Sequence, residues 1–547
     1  MARLKWKETL VAGVCALCMS THCVVAQPEP SQNTSETRHH AHEPDTVAQS
    51  DSKQGASDKK PDAASGPLAS EKVVETHHSI TIGTGASART INYVAQCGYM
   101  EMPNYNGEHK SNVFYTAYFV EPDDGTRDSV SWRSNRPITF AFNGGPGSSS
   151  VWLHLGALGP RRVVMGDEGE RLPPPYVLVD NEASWLDITD LVFIDPVTTG
   201  YSRPVEGENA KQFHGLREDS RHVGDFIRLY VTKHNRWPSP KFLAGESYGT
   251  TRCAALSGYL QDTYGMDLNG IVLISPILNF QTARFDVGND TPYWLYLPTY
   301  TATAWYHKKI DPDRIRGLDA VLKESEEFAS GEYLIALAKG SALTPSEYDN
   351  VARKLSSLTG LSVDYIKQCD LRPVIHNFTK ELLRDEHRTV GRLDSRYVGT
   401  DRNSVGDSPD HDPSMTAILG PYTGALYEYV RTELEYENDL VYEILTGRVH
   451  PWSYGSNENS YVNVGETLRS AMTKNSDLKV LACSGYYDLA TPYFAMDYTA
   501  DHMQLDPSIR QNLTRTYYES GHMMYVRIED LHKLKDDVAA FYQDTLK

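Results

Sequence analysis

The residues with the clearest chemical potential are Gly245-Glu246-Ser247-Tyr248-Gly249, a serine between two glycines. A serine on a tight strand-to-helix turn presents its hydroxyl clear of the backbone, and glycines at both ends of the pentapeptide remove Cβ atoms that would crowd such a turn. The flanks meet that requirement. Lys241-Phe242-Leu243-Ala244 reads as a short apolar strand, and helical character resumes after Ser247. The five-residue pattern alone is a weak signal, because glycine-bounded turns are common. Its value depends on finding a base and a carboxylate to serve the serine.

A serine hydroxyl is a poor nucleophile until a histidine takes its proton, and that histidine needs a carboxylate to orient it. In α/β-hydrolases these follow in the order Ser, Asp or Glu, His, each at the carboxyl end of a sheet strand. Asp488 follows the Val480-Leu481-Ala482 strand through Ser484-Gly485-Tyr486-Tyr487, and His522 follows Tyr517-Tyr518 through Ser520-Gly521. A tetrahedral oxyanion also needs donors, one from the residue after the serine and one from an early glycine loop. The backbone N–H groups of Tyr248 and Gly145 fit those roles.

Taken together, Asn143-Gly144-Gly145-Pro146-Gly147-Ser148-Ser149-Ser150, Gly245 to Gly249, Asp488 and Gly521-His522-Met523 resemble the serine carboxypeptidase family of the α/β-hydrolase superfamily. Asn181 to Trp185, Asp195-Pro196-Val197 and Gly200-Tyr201-Ser202 resemble a further block of that family. The resemblance implies exopeptidase action on peptides with a free C-terminus through an acyl-enzyme. It also implies recognition of the substrate carboxylate by Asn143, Gly144 and a protonated Glu246, with Met523 lining the leaving-group pocket. An ionised Glu246 would repel that carboxylate, whereas a protonated one donates to it.

The chain departs from the family pattern at three places: Ala141 where a tryptophan is usual, Ser148 where a cysteine is usual, and Ala157 where a second glutamate shares a proton with the one before the serine. Without that partner Glu246 feels less like-charge pressure, so its pKa is expected to rise less than in a carboxyl pair and the pH optimum to be less acidic. Arg161 and Arg162 are candidates to replace the missing recognition, set against the plainer reading of a solvated pair.

Positioning these groups requires a sheet. Ile80 to Ile82, Ile91 to Ala95, Val113 to Val120, Ile138 to Phe142, Leu191 to Ile194, Lys241 to Gly245, Ile271 to Ile274, Lys479 to Ala482 and Arg515 to Tyr518 read as strands. A helix is expected over 215–232, with Val223, Phe226, Ile227, Tyr230 and Val231 on one face, and another carries Leu531, Leu534, Val538 and Phe541. Alternating strands and helices mean an α/β fold with a mostly parallel sheet. From 279 to 442 strand signals nearly vanish, and helical stretches such as Glu326 to Ala338 and Gly424 to Glu437 dominate. The expected organisation is an α/β-hydrolase core over 72–278 and 443–547, interrupted by a helical cap over 279–442.

The formal charge of −19 argues against nucleic acid or an anionic membrane as partner. Residues 1–26 read as a secretory signal: Arg3, Lys5 and Lys7, then a short apolar run, then cleavage after Ala26. Residues 27–71 have the composition of a disordered leader, His39, His40 and His42 included. The product is expected to be periplasmic or secreted, without a membrane segment. Cys97, Cys253, Cys369 and Cys483 form no CxxC pair, their pairing stays open, and Cys253 and Cys483 read as buried thiols. Asn33, Asn289, Asn377 and Asn512 begin glycosylation sequons. The acidic loop Asp407 to Asp412 lacks calcium-loop spacing, and neither cofactor nor metal is expected. Alternatives from other classes are an esterase or acyltransferase using the same three residues, and a catalytically silent binding protein on the same fold.

Overall fold

The computed structural model describes residues 73–85, 88–122, 129–310, 317–457 and 459–547. The expected signal, its cleavage site, the whole leader and Asn33 lie outside them.

Nine strands build one twisted sheet: β1 (Val74–Ile82), β2 (Arg89–Pro103), β3 (His109–Val120), β4 (Ile138–Phe142), β5 (Asp190–Ile194), β6 (Lys241–Glu246), β7 (Gly270–Ile274), β8 (Lys479–Gly485) and β9 (Leu513–Tyr518). Their spatial order is β1-β2-β3-β5-β4-β6-β7-β8-β9, with Arg203–Pro204 pairing alongside β3. The first three are antiparallel, and β5 through β9 run parallel. Each strand named from the sequence falls within one of these. The largest difference is β2, whose fifteen residues continue well past Ala95 because it pairs with nearly all of β3.

Successive side chains of a strand point to opposite faces, so a sheet covered on both sides needs apolar residues at every position. The central strands meet that demand. Phe242, Ala244, Val272 and Ile274 pack on one face with Leu531, Leu534, Val538 and Phe541. Leu243, Ile271 and Leu273 pack on the other with Val223, Phe226, Ile227, Tyr230, Val231 and Leu260. These partners belong to α1 (Leu216–Lys233), α2 (Tyr248–Tyr264) and, for the first face, the C-terminal helix Ile528–Thr545.

Between β7 and β8 the chain runs mainly through helices, among them α3 (Thr291–Tyr306), α4 (Leu318–Phe328), α5 (Pro345–Thr359) and α6 (Pro413–Thr432), followed after β8 by the C-terminal helix α7 (Ile528–Thr545). α3 to α5 share a separate apolar cluster that includes Tyr296, Tyr300, Phe328, Leu355 and Phe378. The helix expected over Gly424 to Glu437 is displaced: α6 starts at Pro413 behind an Asp412 N-cap and ends at Thr432. Glu435 takes a φ of 51°, a conformation no right-handed helix continues. Among the described residues no helix is long and apolar enough to cross a membrane.

Candidate active site

The nucleophile turn forms because β6 ends on Glu246 and α2 begins on Tyr248, leaving Ser247 alone to reverse the chain with φ 60° and ψ −129°. Non-glycine residues rarely occupy that region, and such strain concentrates at functional turns. Two close approaches explain the glycines. A Cβ on Gly245 would lie 2.4 Å from the Gly249 carbonyl oxygen, and one on Gly249 would lie 2.7 Å from that of Phe142. The Ser247 N–H donates to the Ile274 carbonyl at 3.0 Å, tying the turn to the neighbouring strand.

Asp488 and His522 come together at the ends of β8 and β9. His522 Nδ1 lies 2.7 Å from Asp488 Oδ2, and both side chains are buried. Asp488 also accepts hydrogen bonds from the Ala490 and Thr491 N–H groups and from the Thr491 hydroxyl. These bonds and the one to His522 occupy its acceptor sites and fix the orientation of the carboxyl group. Burial opposes charging of His522, but the Asp488 charge and hydrogen bond, with Glu246 adding to them, outweigh it and raise its pKa. The His522 backbone is pinned from both directions: its N–H donates to the Leu393 carbonyl at 2.7 Å, and its own carbonyl accepts from the Ser275 hydroxyl at 2.6 Å.

Ser247, His522, Asn143, Gly144, Gly145, Glu246 and Met523 all line one cleft of about 400 Å³. Tyr248 is the first residue of α2, so its N–H has no acceptor within the helix. A Cβ on Gly144 would sit 2.4 Å from that nitrogen, which shows how closely the Gly144-Gly145 loop is laid against it. The loop is held there by Arg252, whose guanidinium donates to the Asn143 carbonyl at 2.7 Å and pairs with Asp219 on α1.

Glu246 is buried at the floor of this cleft, and burial above all pushes its pKa up to about 7. Asp488 adds to that rise, while His522, Tyr525 and Asn143 counter it. Glu246 therefore carries a proton over much of the acid to neutral range although the family's second carboxylate is absent. Its companion is a phenol: Tyr525 Oη donates to Glu246 Oε2 at 2.5 Å. Ala157, at the family's second-glutamate position, is buried in the turn His154–Leu158. A Cβ on the adjacent Gly156 would meet the Tyr525 ring at 2.5 Å and the Tyr422 hydroxyl at 2.6 Å. Tyr525 and Tyr422 thus crowd the space beside that turn. Asn143 Nδ2 is buried beside Glu246 and Tyr525 without a well-formed hydrogen bond of its own.

Sequence reasoning missed Tyr525 and Thr491, because neither belongs to a motif, and it missed Arg392 and His450, which reach the cleft from the region between β7 and β8. The suggestion that Arg161 and Arg162 replace the lost glutamate is not supported by their placement. Arg161 pairs with Asp180 and Glu433, Arg162 pairs with Glu182, and neither lines the cleft. Nor are they simply solvated, since both are largely covered. In the acidic loop, Asp410 pairs with Arg402, and Asp412 caps α6. Cys97, Cys253, Cys369 and Cys483 are free thiols, and Cys253 and Cys483 are buried as expected.

Comparison with known proteins gives a consistent picture. The chain is similar to the pheromone-processing carboxypeptidase KEX1 of Yarrowia lipolytica, 33% identical over 147 residues that cover 26% of this chain and 22% of that protein. It is also similar to serine carboxypeptidase-like 19 of Arabidopsis thaliana, 29% identical over 178 residues, covering 30% of this chain and 34% of that one. These matches span about a fifth to a third of the relatives' length. A prohormone-processing carboxypeptidase from Saccharomyces cerevisiae shares the α/β-hydrolase fold over 86% of this chain and 92% of its own, with TM-score 0.50 and 16% identity. The model of the serine carboxypeptidase family matches residues 87–535, and with that extent this chain belongs to the serine carboxypeptidase family.

Proposed function

We propose that this protein is an exported serine carboxypeptidase that releases C-terminal amino acids from peptides through an acyl-enzyme. The observation that carries the reading is the pairing, in one cleft, of Ser247 and the Asp488–His522 couple with a buried, protonatable Glu246. A neutral carboxyl group beside the nucleophile can donate to the free carboxylate of a peptide's C-terminus, where an ionised one would repel it.

In the proposed reaction Ser247 Oγ attacks the last peptide carbonyl while His522 Nε2 takes the hydroxyl proton and Asp488 holds the imidazolium. The oxyanion accepts from the N–H groups of Gly145 and Tyr248. Collapse breaks the C–N bond, His522 returns the proton to the leaving amine, and the terminal amino acid departs past Met523. Water, deprotonated by His522, then cleaves the acyl-enzyme and regenerates Ser247. Throughout the first half, Glu246 Oε–H, the Asn143 amide and the Gly144 N–H hold the substrate carboxylate.

The Arg3-to-Ala26 segment supports export, with cleavage after Ala26 and a periplasmic or secreted product. The helices over 279–442 serve in this reading as a cap that supplies cleft walls.

The test compares N-blocked dipeptides with their C-terminal amides across pH, with Ser247→Ala as control. Release from the free acid alone, abolished in the variant, supports the proposal. Equal or preferred action on amides or esters would transfer the reading to an esterase or acyltransferase, and failure to react with a fluorophosphonate would leave a silent binding protein.

A further inference from the structure

Among the cleft residues outside every motif and without a part in the proposed chemistry, Arg392 is the cation. Arg392 lines the same cavity as Ser247 and His522. Its side chain is exposed there, and among the described residues its guanidinium makes neither an ion pair nor a hydrogen bond. The nearby carboxylate of Asp412 is already engaged by the backbone N–H of Arg392 at 3.1 Å and by Ser414 N–H at 2.9 Å.

The backbone that carries Arg392 is mounted on the candidate triad itself. Its carbonyl accepts from Leu489 N–H, next to Asp488, at 3.1 Å. The following carbonyl, of Leu393, accepts from His522 N–H, and Asp394 accepts from Gly521 N–H at 3.0 Å. Asp394 is itself locked by Arg396 at 2.7 Å. The backbone that carries Arg392 is thus anchored at the strand ends bearing Asp488 and His522, and its charge is felt at His522 and at Tyr296.

The charges around the cleft are few. Besides Arg392 the titratable groups on its wall are Glu246, His522 and His450. With Glu246 protonated for carboxylate binding, Arg392 is the permanent charge of the wall, an unpaired cation in a chain of net charge −19. An unpaired guanidinium at a binding surface is a ready fork for a carboxylate.

Resting on the carboxypeptidase reading, we propose that Arg392 makes this site select peptides with an acidic side chain on one of the two residues that flank the scissile bond. The ion pair forms between the guanidinium and the substrate's Asp or Glu side chain, separately from the recognition of the terminal carboxylate by Asn143, Gly144 and Glu246.

The test uses the full mature chain and four N-blocked dipeptides: Glu or Gln as penultimate residue before a common terminal residue, and Glu or Gln as terminal residue after a common penultimate one. The expected result is a kcat/KM for Glu over Gln of about five- to tenfold in one of the two pairs, the size of a partly exposed charge-assisted contact, falling as salt is raised. In Arg392→Gln that ratio falls to about one, and in Arg392→Glu it falls below one while a lysine peptide gains. Cleavage of the Gln peptides reports that each variant is folded. Equal rates on Glu and Gln in both pairs overturn the assignment and leave the carboxypeptidase reading standing. An equal loss on all four peptides in Arg392→Gln overturns it in favour of Arg392 gripping the terminal carboxylate. Cleavage of none of the four by the unaltered protein overturns both readings.

Discussion

At the scale of single residues, the proposed mechanism makes activity depend on three proton positions. Ser247 must lose a proton to His522, so Ser247→Ala is expected to lower kcat on the order of 10⁴- to 10⁶-fold with the fold intact, checked by turnover alongside circular dichroism. Glu246 must keep its proton to hold a substrate carboxylate, and that form prevails below about 7 and is lost above it. Neutral His522 is required for acids and amides alike, so its titration cancels in their ratio. The free-acid over amide kcat/KM ratio is therefore expected to be flat below pH 7 and to fall about tenfold per pH unit well above it. A steep loss already above about pH 5, near the ordinary carboxyl range, would contradict this. Tyr525 donates to Glu246 and favours its ionised form, so Tyr525→Phe removes a stabiliser of the anion. A hydrogen bond to a charged group is worth about 1.5–3 kcal/mol, and the alkaline limb of that ratio is expected to move up by about one to two pH units. A merely structural loss would lower the whole profile without moving the limb.

The elements succeed as a set because one buried ion pair fastens three of them. Arg252 on α2 pairs with Asp219 on α1 at 2.7 Å and holds the carbonyl of Asn143 at the end of β4. Both side chains are almost fully buried. Removing one partner leaves the other charge without compensation, so Asp219→Ala is expected to cost about 3–5 kcal/mol, read as a lower denaturation midpoint. Because the same guanidinium supports the glycine loop, residual activity should fall by more than the folded fraction does. The elbow between β6 and α2 was legible in the sequence, since strand, glycines and helix are local signals. The bounds of α6 were not. Its start is set by the Asp412 cap and Pro413, residues at the edge of the stretch read as an acidic loop, and its end by the positive φ of Glu435 and by Leu434 and Tyr436 turning into the core.

Across the whole molecule, two apolar layers sandwich the sheet, and the thiols are enclosed in them. Cys97 and Cys483 lie in one layer and Cys253 in the other. Burial raises the pKa of all three, Cys483 up to about 11. They are expected to resist a thiol-reactive aromatic disulfide under native conditions and to react on unfolding, with no change in melting temperature on adding reductant. Rapid reaction of the native protein at those positions would show that the layers open.

The sequence by itself marked the candidate catalytic residues and their order along the chain. Ser247, Asp488 and His522 stood out as candidates because their places at strand ends leave local marks: glycines at a tight turn and apolar runs of strand length. The alternation that commits Leu243 to one layer and Phe242 to the other is likewise local, fixed by the two-residue period of a strand. What only the tertiary structure decided is which distant side chains share the cleft. Tyr525 reaches Glu246 because the C-terminal segment and the turn His154–Leu158 meet beside it. Arg392 lines the same cleft as Ser247 because Leu489 and His522 bind its segment from two strand ends. Such juxtapositions come from hydrogen bonds between residues far apart in sequence, 279 positions for Tyr525 and Glu246, which no spacing along the chain encodes.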